Sequence, residues 1–206
     1  MKLSTYSLTL TALTATAGLT IATSILQKTY SINASKDSSI LRASVSCPNC
    51  PNNNCYECKF GTRATLIISS DGPGRTVDYS ALIGFTLPSE TINNPDRLDK
   101  CELLLPASYN NLFSPQTLRI SSADPGWDEE SVNGNNAPAV GSQIGQVVIP
   151  ASQATPDAVD LTEACKIAAG KGSTGFSIYL TKDSANLVEI PSKDIGKPAV
   201  LRTTIY

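Results

Sequence analysis

Four cysteines lie close together in "CPNCPNNNCYEC" (residues 47–58), with the spacing C-x2-C-x4-C-x2-C. Four thiolates in this pattern could hold zinc or an iron–sulfur cluster. Zinc knuckles usually have about a dozen or more residues between their two cysteine pairs, and here the gap is much shorter. We therefore favour disulfides, with nested pairs Cys47–Cys58 and Cys50–Cys55 around the Pro-Asn-Asn-Asn turn. Crossed pairing and two C-x2-C pairs stay open, because spacing does not determine connectivity.

An acidic triplet, Asp128 to Glu130, directly follows Trp127, which is the only tryptophan in the chain. Glycosidases use two carboxylates that normally come from separate segments and flank the scissile bond. Adjacent residues on a strand point to opposite faces, so three consecutive acids do not form such a pair. We interpret the triplet as a solvated turn. Calcium is left open, since Asp and Asn oxygens suit it, but the spacing matches no EF-hand loop and we assign no metal or other cofactor.

The chain contains no histidine. This excludes Ser-His and Cys-His nucleophile pairs, imidazole proton shuttles and the commonest zinc ligand. A lyase that uses Tyr179 and Lys182 is the remaining enzymatic interpretation, but strand alternation places these two side chains on opposite faces. We predict that the protein is not an enzyme and assign no catalytic residue.

The N-terminus is typical of a secretory signal peptide. Lys2 is followed by an uncharged stretch, no acidic residue precedes Asp37, and Ala-Thr-Ala at 15–17 is an A-x-A cleavage pattern. We predict a signal peptide over 1–17, with 22 as an alternative end. The even number of cysteines agrees with an oxidising compartment, and Asn33-Ala34-Ser35 is a glycosylation sequon. The expected location is therefore extracellular or in the cell wall.

Short segments of alternating hydrophobicity, separated by Gly, Pro and Asn turns, follow a polar leader predicted over 18–38. They indicate one domain over 39–206, an all-β, antiparallel, jelly-roll-like β-sandwich. One short helix is predicted in "DLTEACKIAAG", with Asp160 as its N-cap. Its buried face includes Cys165, and Cys101 lies on the buried face of a strand. We pair these two cysteines. The bridge closes a loop of about 64 residues, which corresponds to roughly 4 kcal/mol of stabilisation.

Charge and hydropathy argue against two classes of partner. The formal net charge is −2, only 17% of residues are charged, and no two basic residues are adjacent. Nucleic acid is therefore not an expected partner. Beyond the signal, no segment is apolar enough to span a bilayer, so no membrane association is expected either. We expect a monomer.

The stretch from Trp127 to Ser142 resembles carbohydrate-binding module family 96, also described as the DNRLRE-type domain. The shared features are a Trp, an acidic pair, a Ser/Thr-Val step, Asn-Asn-Ala-Pro and Gly-Ser. In this sequence they are Trp127, Asp128, Glu129, Ser131, Val132, Asn135, Asn136, Ala137, Pro138, Gly141 and Ser142. Weaker similarities follow in order over residues 37–206. Two departures are Gly134, where the family usually has a second Trp, and Gly84, where Arg is usual.

The resemblance implies a β-sandwich that binds polysaccharide and performs no chemistry. Trp127 then either packs as a corner between the sheets or stacks on sugar. Sugar binding needs exposed aromatic faces, and the candidates are Tyr56, Tyr109 and Trp127. Because the chain is acidic, we expect a neutral glycan such as glucan or chitin rather than alginate. The alternative is a disulfide-stabilised structural or host-interaction protein with a protein partner.

Overall fold

Antiparallel strands dominate the computed structural model, which describes residues 27–71 and 76–206. The strands are β1 (Lys28–Asn33), β2 (Lys36–Ala43), β3 (Thr65–Ser70), β4 (Val77–Thr86), β5 (Leu98–Leu104), β6 (Gln116–Ala123), β7 (Gln143–Ile149), β8 (Val159–Asp160), β9 (Gly175–Thr181), β10 (Val188–Pro191) and β11 (Val200–Ile205). The helices are α1 (Ser89–Asn93) and α2 (Thr162–Gly170), and short 3-10 turns lie at Pro51–Asn53, Cys55–Glu57, Pro95–Arg97 and Lys193–Ile195.

Two sheets face each other. One has the order β1-β11-β5-β8, and the other has the order β10-β3-β4-β9-β6-β7. In the second sheet, β2 pairs along one edge of β4, while β3 and β9 share the opposite edge. Leu103 and Leu201 of the first sheet join Ile83 and Ile178 of the second in one buried core. The all-β, antiparallel, sandwich-like fold predicted from alternation is thus confirmed.

The predicted helix is α2. It begins at Thr162 rather than next to Asp160, but the Asp160 carboxylate still accepts hydrogen bonds from the backbone N–H and the hydroxyl of Thr162, at 2.8 and 2.6 Å. Cys165 on this helix is fully buried and is joined by a disulfide to Cys101 of β5, with a Cα–Cα distance of 6.5 Å. The second helix, α1, follows Pro88 and was not predicted.

The expected polar leader contains β1 and the beginning of β2. Tyr30 and Ile32 of β1 pack against the main core, and β1 pairs with the last strand, β11. The fold therefore includes residues from at least Lys28, and the boundary at 39 is wrong because a short strand with two apolar residues looks polar in sequence. Asn33 of the sequon is exposed at the end of β1. The predicted signal peptide lies outside the described residues. In the part of the chain that is described, no helix is long and apolar enough to cross a membrane.

Candidate functional site

The four clustered cysteines form two crossed disulfides, Cys47–Cys55 and Cys50–Cys58. An isolated antiparallel bridge pairs Ser46 with Asn54, and the backbone N–H of Cys47 donates to the Asn53 carbonyl at 2.9 Å. This pairing brings Cys47 beside Cys55, with their Cα atoms 5.0 Å apart. The nested arrangement that we favoured is therefore wrong, because the turn closes one residue before Cys55. We call residues 46–58 the stapled loop.

Tyr56 of the stapled loop is half-buried. The Asn54 side chain accepts a hydrogen bond from the backbone N–H of Tyr56 at 3.0 Å. A Cβ atom added to Gly134 would lie 2.4 Å from the Leu41 carbonyl oxygen and 3.0 Å from the Tyr56 Cα. The backbone of β2 at Leu41 and the stapled loop at Tyr56 thus occupy the space that a side chain at 134 would need. Tyr56 contacts the rest of the protein more than it contacts solvent.

Trp127 packs on the outer face of the larger sheet, not between the two sheets as expected. The face of this sheet opposite the main core carries three apolar side chains, Ile40 of β2, Leu82 of β4 and Tyr179 of β9. Trp127 and Val132 cover them. We call residues 124–138 the tryptophan corner. It gives β2, β4 and β9 an apolar cover on the side away from the main core.

Polar contacts hold Trp127 in this position. Its indole Nε1 donates to the Ser177 hydroxyl at 3.0 Å, and the Lys36 ammonium lies 4.3 Å from the ring centroid. Lys36 also donates to the carbonyls of Pro125, at 2.7 Å, and of Trp127 itself. Burial lowers the pKa of Lys36, although nearby carboxylates act in the opposite direction. Because only 8% of Trp127 is exposed, little of the ring is accessible to a sugar.

Within the acidic triplet, Glu129 makes a hydrogen bond and an ion pair with residues of distant segments. Its Oε1 accepts a hydrogen bond from the backbone N–H of Asp37 at 2.7 Å, and its Oε2 lies 3.0 Å from the Lys193 ammonium. Asp37 belongs to β2, an outer strand of its sheet, so Glu129 satisfies a donor on an otherwise open edge. Asp128 and Glu130 are exposed. The triplet is a turn with one structural carboxylate.

The two groups considered for lyase chemistry are engaged in hydrogen bonds. The buried Tyr179 hydroxyl donates to the Pro138 carbonyl at 2.8 Å, and the buried Lys182 ammonium donates to Gln116 Oε1 at 2.7 Å. Burial raises the pKa of Tyr179 and lowers that of Lys182. Both side chains therefore stabilise the fold through hydrogen bonds. The Tyr179 hydroxyl holds the end of the tryptophan corner against β9.

Residues 108–114, which we call the aromatic loop, present the most accessible rings of the described chain. Tyr109 is 61% exposed and Phe113 is fully exposed. Sequence reasoning identified Tyr109 but missed Phe113. The signal that could have found it is a pair of aromatic residues four apart within a polar, Pro-bounded segment, "PASYNNLFSP".

Four hydrogen bonds anchor the aromatic loop. Tyr109 N–H donates to the Glu189 carbonyl at 2.7 Å, and Gln153 Nε2 donates to the Tyr109 carbonyl at 2.9 Å. The Asn110 amide donates to the Leu187 carbonyl and accepts from Glu189 N–H, both at 2.9 Å. The loop is therefore fixed at Tyr109 and Asn110, and Leu112, which precedes Phe113, packs against the main core.

A groove of about 720 Å³ lies between α2 and the start of the tryptophan corner. Ile144, Ile167 and Phe176 give it an apolar wall, and Asp124 and Lys171 add charged groups. Ile167 is 59% exposed. This groove is a second surface with the mixed character that a sugar ligand requires.

Comparison with known proteins places these surfaces in context. The sequence model described as carbohydrate-binding module family 96 matches residues 52–204. The chain belongs to this family. A relative from Arthroderma benhamiae, named "Uncharacterized secreted protein", is 39% identical over 171 residues, which is 82% of this chain and 82% of the relative. The family 96 match begins in the stapled loop and includes the tryptophan corner, the aromatic loop and the groove beside α2.

Proposed function

We propose that this family 96 module is a secreted, non-catalytic protein that binds a cell-wall or extracellular polysaccharide through Tyr109 and Phe113. The observation that carries the proposal is the aromatic loop, which exposes two rings and is anchored by four hydrogen bonds at Tyr109 and Asn110. Tyr56 and Trp127, the other two candidates, have structural roles in this proposal because both are withdrawn from solvent.

Rings held in this way suit sugar recognition. The apolar face of a pyranose stacks on an aromatic ring, and exposed amides bind its hydroxyl groups. Asn111 in the same loop is exposed, whereas the Asn110 amide is already used for anchoring. A fixed backbone loses little conformational entropy when a ligand binds, so a small contact area can still provide useful affinity.

Charge favours a neutral polymer. The formal net charge is −2, and no residue of the aromatic loop is basic. An anionic polymer such as alginate would be repelled by the overall negative potential unless it found a local basic patch. Chitin and β-glucan are therefore the preferred ligand classes.

Three observations support secretion. The relative from Arthroderma benhamiae is named a secreted protein, the first residues are typical of a signal peptide, and all six cysteines are in disulfides. Disulfides persist in oxidising compartments and are rare in the cytosol.

The test is retention of the oxidised mature protein on insoluble chitin, β-glucan and cellulose, and on alginate in an affinity gel. We expect one neutral polymer to retain it and the soluble oligosaccharide of that polymer to release it. The double variant Tyr109→Ala/Phe113→Ala should lose about 5- to 150-fold in affinity, since each stacked ring contributes roughly 0.5–1.5 kcal/mol. Ile167→Ala, which removes an exposed apolar side chain from the groove beside α2, is the matched control.

Two outcomes would contradict the proposal. If Ile167→Ala abolishes retention and the double aromatic variant does not, the ligand binds in the groove. If no polymer retains a protein that unfolds cooperatively, the module does not bind these glycans, and the alternative of a structural protein with a protein partner gains support.

A further inference from the structure

Three carboxylates meet at the base of the tryptophan corner, although they are far apart in sequence. Asp37 belongs to β2, Glu129 belongs to the corner, and Asp194 lies in the 3-10 turn after β10. One carboxylate oxygen from each lies within 4.8 Å of the others. Asp37 is buried, Glu129 is half-buried and Asp194 is exposed, so the cluster extends from the interior to solvent. We call these three residues the carboxylate cluster.

The innermost carboxylate lacks a partner for one of its oxygens. Asp37 is only 2% exposed, and its Oδ2 accepts a hydrogen bond from the backbone N–H of Lys193 at 2.8 Å. Its Oδ1 is buried and has no hydrogen-bond partner within residues 27–71 and 76–206. Leaving a buried charged oxygen unsatisfied is costly. Burial accordingly raises the pKa of Asp37 to about 6.

Lys193 neutralises only part of the cluster. Its ammonium lies 3.0 Å from Glu129 Oε2 and 2.7 Å from Asp194 Oδ1, but Asp37 Oδ1 is left without a donor. The Lys36 ammonium also attracts Glu129, but neither lysine donates to Asp37 Oδ1. Lys193 has a flexible four-carbon stem, so its ammonium can leave these contacts without moving the backbone.

The spacing of the oxygens suits calcium. Calcium binds oxygens at 2.3–2.6 Å, so two ligands on one ion can be up to about 5 Å apart. The observed limit of 4.8 Å lies within that range. Magnesium requires near-ideal octahedral geometry at 2.0–2.1 Å and gives up its waters reluctantly, so a set of three protein carboxylates suits it less well. The donor set of three carboxylates is also the chemistry that calcium prefers, with water completing the shell on the open side at Asp194.

We propose that Asp37, Glu129 and Asp194 form a calcium site, and that Lys193 is the internal cation that occupies it when calcium is absent. Calcium displaces the lysine ammonium and supplies the missing partner of Asp37 Oδ1. Because the three ligands come from β2, the tryptophan corner and the turn after β10, the bound ion ties these segments together. The site is independent of the aromatic loop.

The first measurement is thermal unfolding of the oxidised mature protein, stripped with a chelator and titrated with calcium or magnesium chloride at constant ionic strength. Calcium should raise Tm with a midpoint of roughly 0.1–1 mM, the range of extracellular calcium modules, and magnesium should not. Isothermal titration calorimetry with calcium alone should give one site. Asp194→Asn, at an exposed position that does not endanger folding, should abolish the shift. Glu130→Gln, in the same acidic triplet but outside the cluster, should retain it.

Lys193→Met separates a calcium site from a purely structural ion-pair cluster. With chelator present, its Tm should fall below that of the unsubstituted protein. With calcium, the difference should disappear, and calcium affinity should rise about tenfold because no lysine competes. If neither the unsubstituted protein nor Lys193→Met responds to calcium, the proposal is overturned and Lys193 alone neutralises the cluster. A calcium response that survives Asp194→Asn would also overturn it, because the ion would then bind elsewhere.

Discussion

The tryptophan corner and the aromatic loop both place aromatic residues in polar, turn-rich segments, but they use them in opposite ways. In the corner, Trp127 is buried, its N–H is bonded to Ser177 and Lys36 lies over its ring. In the loop, Phe113 is fully exposed and the hydrogen bonds are made by the backbone and by Asn110. The family motif around Trp127 therefore has a structural role. The exposed rings lie in the aromatic loop, which carries no family motif.

The corner also shows how a departure from the family pattern is accommodated. Gly84 stands where the resemblance leads one to expect Arg, and Lys36 is its partner across the β2–β4 pair. A Cβ atom on Gly84 would lie 2.8 Å from Lys36 Cε. Because Gly84 has no side chain, the Lys36 side chain has room to extend across it to Trp127. The cation at this position comes from the neighbouring strand.

The largest expected effect is that of Trp127→Ala. Removing a buried indole from the outer face of the sheet should lower the free energy of unfolding by about 3–5 kcal/mol. Urea unfolding checks this, and Trp127→Phe, which keeps much of the packing but loses the bond to Ser177, should cost about 1–2 kcal/mol. A Trp127→Ala variant that stays equally stable but loses polysaccharide retention would break the comparison, because the ring would then be a ligand contact.

Gly134→Ala tests whether the tryptophan corner packs against β2 and the stapled loop as tightly as the structure indicates. The new methyl group would lie 2.4 Å from the Leu41 carbonyl oxygen, so we expect a loss of about 1–3 kcal/mol. Gly170→Ala is the matched control, since a Cβ there meets nothing within 4 Å. It should be neutral or slightly stabilising. Equal stability of the two variants would show that the corner is not packed tightly against β2 and the stapled loop.

Asn110→Ala sharpens the comparison from the side of the loop. Its amide makes two hydrogen bonds to the segment at Leu187 and Glu189, so its loss should cost about 1–2 kcal/mol. Polysaccharide retention should also weaken, because the rings would have to be ordered on binding. Asn111→Ala, next to it but exposed, should leave stability unchanged. If Asn110→Ala binds as well as the unsubstituted protein, the anchoring is irrelevant to function.

Some of this architecture could be predicted from the sequence because it depends on local pattern. Alternating hydrophobicity predicts the antiparallel sandwich, and the segment "DLTEACKIAAG" predicts α2. Cys101 and Cys165 were paired because both lie on buried faces, and the structure joins them.

Other features depend on contacts between distant residues. The crossed pairing follows from where Ser46 meets Asn54, and the carboxylate cluster unites Asp37 with Asp194 from opposite ends of the fold. No local periodicity encodes either contact. The spacing of Tyr109 and Phe113 in "PASYNNLFSP" marks the two rings as candidates, but their exposure depends on what packs nearby.

The smallest expected effect on stability is that of Tyr109→Ala/Phe113→Ala. Both rings are exposed, so the free energy of unfolding should change by no more than about 0.5 kcal/mol per substitution. The same substitutions should abolish most of the polysaccharide retention, which gives the reverse of the Trp127→Ala result. Urea unfolding and retention measured on one preparation separate the two quantities. A double variant that is strongly destabilised would mean that the rings pack onto the fold after all, and the distinction between a structural corner and a binding loop would no longer hold.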